Sequence, residues 1–101
     1  MDKLMQVFSM YRCGTKMILR WENGIEIKGK KDTMYESCNF VEEDKEGYRE
    51  FYACLIEVES AKNYKDEKQR LQVGTYVEVS MENPPQRINL EDGTVVWEKE
   101  E

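Results

Sequence analysis

The chain carries the same turn twice. Leu19-Arg20-Trp21-Glu22-Asn23-Gly24 and Ile88-Asn89-Leu90-Glu91-Asp92-Gly93 both run apolar-x-apolar, then Glu, then Asn or Asp, then Gly. A glycine after Asn or Asp supplies the left-handed residue a tight hairpin needs. Loop length then sets which side chains share a face. A two-residue Asn23-Gly24 loop would pair Arg20 with Ile27 and split Leu19 and Trp21 from Ile25 and Ile27. A three-residue loop pairs Trp21 with Ile25 and Leu19 with Ile27, gathering all four on one face. It also leaves Arg20 opposite Glu26 on the other, so the three-residue loop is expected. The same loop near the C-terminus pairs Leu90 with Thr94 and Ile88 with Val96. Two copies of a turn are a shared hairpin chemistry, not a solenoid repeat.

Other segments extend the β pattern. Residues 51–59 form the strongest single strand, since Phe, Tyr, Cys, Ile and Val favour strand over helix. Residues 75–80 alternate cleanly, and Asn83-Pro84-Pro85 breaks the chain before Ile88. Residues 33–37 read as a short strand continuing the sheet beyond Gly29, and residues 4–13 as an opening strand. Ala61 to Gln72 is polar, read as a long connection or one short helix. The expected fold is all-β: a small barrel or sandwich of six to seven short antiparallel strands, SH3-like or OB-like, with little helix. The core expected from this pattern is Leu19, Trp21, Ile25, Ile27, Cys54, Ile56, Val58, Val77, Val79, Ile88, Leu90 and Val96. A chain of 101 residues suits a single domain over 1–101.

The segments LRWENGIEIKG (19–29), DTMYES (32–37), EGYREFYACLIEV (46–58) and INLEDGTVVWE (88–98) resemble those of small uncharacterised proteins of Gram-positive, Firmicutes-type bacteria. The resemblance implies a bacterial source and carries no activity or binding residues with it.

Composition removes several functions. The chain contains no His, which takes away the commonest general base and the commonest metal ligand. No GxSxG, HExxH, P-loop or GxGxxG motif is present. Cys13, Cys38 and Cys54 are widely spaced, with no CxxC pair, so they read as free thiols, Cys54 in the core. Cys13 sits beside Arg12 and near Lys16, and Cys38 among acids. No metal or cofactor is expected, and the chain reads as a non-enzyme. The longest apolar run, residues 51–56, is far below the ~20 residues of a spanning helix. The N-terminus lacks a signal-peptide pattern, so a cytoplasmic location is expected.

The net charge of -6 is unevenly spread. Residues 1–31 hold seven bases and three acids, residues 32–59 two bases and nine acids. Tyr35, Tyr48, Tyr52, Tyr64, Phe40 and Trp97 exceed what the core needs. Aromatics among acids suit a protein-binding surface, and the expected contact residues are Tyr35, Glu36, Phe40, Glu42, Glu43, Tyr48 and Tyr52. The first reading is therefore a non-catalytic interaction module that binds a protein partner through an acidic, aromatic-bearing face. An alternative is a small-barrel nucleic-acid binder using Lys16, Arg20, Lys28, Lys30 and Lys31; the negative total charge argues against it. A second alternative is an immunity or mimic-type protein that masks a basic site on a toxin or nuclease. Exposed strand edges also allow a homodimer by edge pairing.

Overall fold

The computed structural model describes residues 2–39, 41–62 and 74–100. The element order is α1 (Lys3–Ser9), β1 (Lys16–Arg20), β2 (Glu26–Cys38), β3 (Glu50–Lys62), β4 (Tyr76–Ser80), β5 (Arg87–Leu90) and β6 (Val95–Glu98). Both turns form as the apolar pattern requires. Leu19 lies opposite Ile27 and Arg20 opposite Glu26. Trp21 N–H donates to Ile25 O at 2.9 Å, and Gly24 closes the loop at φ +87°. The Arg20 guanidinium meets Glu26 at 2.9 Å on the outer face.

In the second hairpin Leu90 N–H donates to Thr94 O at 2.8 Å, with Gly93 at φ +94°. One step further the register departs from expectation. A bulge inserts Val96 between the Asn89–Val95 and Ile88–Trp97 pairs, so Ile88 faces Trp97 rather than Val96. Trp97 Nε1 then reaches Pro85 O at 3.3 Å.

The N-terminal segment corrects the strand expected over residues 4–13. It is a helix over Lys3–Ser9, capped by the Asp2 carboxylate, which accepts from Met5 N–H at 2.8 Å. Leu4, Met5 and Phe8 stand one and four residues apart, which puts them on a single helix face, and all three are fully buried. Burial of that face against the sheet outweighs the weak intrinsic stability of so short a helix.

The segments expected as two strands at 25–28 and 33–37 are one 13-residue strand, β2, paired with the equally long β3. Register shifts at Lys28/Gly29 and Lys31/Met34 bend the pair. Gly29 is required at the first bend. A Cβ there would collide with Glu57 O and come within 2.7 Å of Ile56 Cγ2. Ala61 and Lys62, expected to open a connection, end β3, and the rest of that segment lies outside the described residues.

The strands form one antiparallel sheet in the order β4-β3-β2-β1-β5-β6. In a flat sheet β4 and β5 would stand four strand spacings apart, about 19 Å. The link between them, residues 81–86, would span roughly 20 Å only if fully extended. It is not extended, since Asn83 N–H turns back to Ser80 O at 3.2 Å. The sheet therefore curls, bringing its ends together around this link. Trp21 Nε1 bonds Asn83 O at 3.1 Å, and Gln86 N–H bonds Arg20 O at 2.6 Å. The expected all-β fold is what forms, with six strands among the described residues and one short helix over the core.

Inside the curl, Leu4, Met5 and Phe8 meet Met17, Leu19, Ile27, Cys54, Ile56, Val58, Val79 and Ile88. Seven of the expected core residues are in that set. Trp21, Ile25, Val77, Leu90 and Val96 pack against it half-buried. The helix residues and Met17 are the part that strand patterning missed.

Candidate functional site

Beyond its second bend the β2–β3 hairpin runs out past the core. Glu36 pairs with Tyr52 and Cys38 with Glu50 across the two strands. Strand alternation therefore points Glu36, Cys38, Glu50 and Tyr52 to the same face. With Tyr48 and Ser37 the first three line an open cleft of about 470 Å³. The Tyr48 hydroxyl donates to Glu50 Oε1 at 2.9 Å, and that bond pushes the phenol up to about 12. A protonated Glu36 carboxyl can donate to the Glu50 carboxylate. The bond to Glu50 holds the Glu36 carboxyl above the ordinary carboxylate range, while Glu36 and then Tyr48 hold Glu50 below it. Tyr52 is 45% exposed beside this pair.

The hairpin tip carries Glu42 and Glu43, both exposed, and it is closed at its neck by Asn39. Thus Glu36, Tyr48, Tyr52, Glu42 and Glu43 belong to one end of the molecule. Tyr35 does not join them. It points to the opposite face, where its hydroxyl bonds Glu78, and burial followed by that bond raises its pKa to about 12. Phe40 and Tyr64 lie outside the described residues. Glu50 and Asn39 were not singled out from sequence. The place of Glu50 beside Glu36 depends on the register of β2 against β3, which the sequence pattern does not fix.

The basic set is scattered by the sheet. Lys16 stands opposite Lys30 and Lys28 opposite Ile18, all on the outer face. Lys30 also lies opposite Glu57 on β3, and Arg20 is bound to Glu26. Lys31 does not share the outer face with the other bases. Strand alternation sets it on the inner face with Ile27 and Gly29, where it is 7% exposed and its Nζ donates to Tyr11 O at 2.5 Å.

All three thiols are free, Cys13 and Cys38 exposed and Cys54 buried, its thiol pushed up to about 12 by burial. Among the described residues no helix is long and apolar enough to cross a membrane, and no cluster of three or more Cys, Asp or Glu is placed to hold a metal ion.

A family model described as "Cognate immunity protein YxxD" matches residues 1–101, the full length of the chain. The chain belongs to this family. No curated protein and no solved structure matches it. The YxxD family is one of immunity proteins rather than enzymes. That agrees better with the immunity-type alternative drawn from the sequence than with a general accessory module.

Proposed function

We propose that this chain protects its producer by binding a cognate protein toxin and covering a basic surface on it. The observation that carries the reading is the match of the whole chain to a cognate immunity protein family. Charge supports the choice of surface. The chain is -6 overall, and acids concentrate at the tip of the β2–β3 hairpin. There Glu36, Glu50 and Tyr48 surround an open cleft, with Glu42, Glu43 and Tyr52 at its side. Acids on a strand pair draw in a basic partner over distance, and an exposed tyrosine adds rigid apolar contact once it arrives. A bacterial cytoplasm of Gram-positive type as the place of action is part of the same proposal.

The test is genetic first. Reading frames next to this gene are expressed in a sensitive host alone and together with the chain. One frame should arrest growth, and co-expression should restore it. The toxin found this way should co-purify with the chain. Exchange of Glu42 and Glu43 for Lys should slow association about tenfold at low ionic strength, with the difference fading in high salt. If no neighbouring frame is toxic, or none is neutralised, the proposal fails. Salt-sensitive binding to oligonucleotides, lost on changing Lys16, Lys28 and Lys30, would replace it with the nucleic-acid alternative.

A further inference from the structure

Charge accounts for attraction at the hairpin tip but not for the order in it. A run such as Glu42-Glu43-Asp44-Lys45-Glu46-Gly47 is, from composition alone, a solvated coil. Instead its neck is closed by one residue, through its backbone and its side chain. Asn39 N–H donates to Arg49 O at 3.1 Å. Its Oδ1 accepts from Arg49 N–H at 3.1 Å, and its Nδ2 donates to Gly47 O at 2.7 Å. Within the tip, Lys45 N–H bonds Glu42 O at 2.9 Å and Tyr48 N–H bonds Lys45 O at 3.3 Å. Gly47, at φ +90°, takes the left-handed step that lets the chain return to β3. The neck is also tied sideways, with Arg49 Nη2 2.6 Å from Glu82 Oε1 on the β4–β5 link.

We infer that Asn39 is a positioning residue for partner binding: it fixes the tip so that Glu42, Glu43 and Tyr48 are presented in one arrangement before the partner arrives. The inference rests on the reading that this end docks the toxin. A carboxamide supplies a donor for the Gly47 carbonyl and an acceptor for the Arg49 amide from one planar group. An aspartate would keep the bond from Arg49 and set a carboxylate oxygen against the Gly47 carbonyl. Net charge governs how fast a complex forms, whereas loop ordering charged against binding appears in how long it lasts. The two contributions are therefore separable at different residues.

The experiment compares wild type, Asn39→Ala and Asn39→Asp with the double variant Glu42→Gln/Glu43→Gln, against the toxin recovered in the growth screen. Asn39→Ala should dissociate about tenfold faster, the equivalent of losing two hydrogen bonds that ordered the loop, with an association rate and salt dependence like wild type. Asn39→Asp should fall between the two. The glutamine pair should do the reverse, slowing association and leaving dissociation nearly unchanged. Amide hydrogen exchange on the free protein is the second arm. Tyr48 and Arg49 amides should exchange faster in Asn39→Ala while those of β3 beyond Phe51 do not change. Wild-type dissociation of Asn39→Ala, or unchanged exchange at Tyr48 and Arg49, overturns the inference. A screen that yields no toxin refutes the proposed function instead, and the exchange arm still decides whether Asn39 holds the loop.

Discussion

Replacing Gly29 by Ala destabilises this protein, against the ordinary preference of a strand. In an unobstructed strand, alanine is better than glycine by about 0.5–1 kcal/mol, because it loses less backbone freedom on folding. Here the added methyl points at the neighbouring strand where β2 bends. It collides with Glu57 O, lies 2.7 Å from Ile56 Cγ2 and is 3.2 Å from Glu57 C. Two of those atoms are backbone of β3, which is hydrogen-bonded on both sides, to β2 and to β4. Neither can yield without moving a ladder, and Ile56 is itself fully buried. Overpacking of this kind costs about 1–3 kcal/mol, so it exceeds the alanine preference. The net expectation is a loss of roughly 1–2 kcal/mol. In urea, with a slope of about 1–3 kcal/mol/M, the midpoint should fall by on the order of 1 M at unchanged slope. Gly93→Ala is the control. Nothing lies within 4 Å of its Cβ, but its φ of +94° makes the cost purely conformational, and Asn should recover most of it. A Gly29→Ala protein as stable as wild type, or more so, would show that the close approach of β2 to β3 does not exist as described.

Two further outcomes follow from the core. Phe8→Ala should cost about 3–5 kcal/mol in a thermal or urea melt, a large part of what a small domain has to lose; a near-zero effect would mean that the N-terminal segment does not cover the sheet. Iodoacetamide at pH 8 should label Cys13 and Cys38 in the native protein and all three cysteines in denaturant. The sign follows from the upward shift of Cys54 to about 12: its thiol stays protonated, and hence unreactive, across the pH range of the assay. Three adducts on the native protein at equal rates would contradict the burial of Cys54.

The hairpins were legible because turn chemistry and face pairing agree. Only one loop length puts Leu19, Trp21, Ile25 and Ile27 on the same side, and Gly24 stands where that loop needs a positive φ. The helix was not legible for an equally physical reason. Leu4, Met5 and Phe8 fall in a short apolar stretch whose period is ambiguous, and tertiary burial settles it. Bulges were hidden too, because an inserted residue leaves the composition of a strand unchanged while altering every pairing beyond it. That is how Val96 gave up its place opposite Ile88 to Trp97. At the candidate site, the acids and tyrosines could be named from sequence, and alternation along one strand already separates neighbours, but which residues of β3 stand beside those of β2 depended on the register. Tyr35 and Glu36 are neighbours in the chain and lie on opposite sides of the sheet.

The return of β5 to β1 has a consequence for how the molecule is made. The strands β1 to β4 form a meander in which each pairs with the one just synthesised. Yet β1 receives its second partner only when Met17 meets Leu90, roughly seventy residues later. On a ribosome the first strand therefore waits with one edge open until the C-terminal hairpin emerges. Closing so long a loop is the slow, entropically expensive event in this topology. The repeated turn thus has two histories: the first copy starts the sheet, and the second, identical in local chemistry, completes it last.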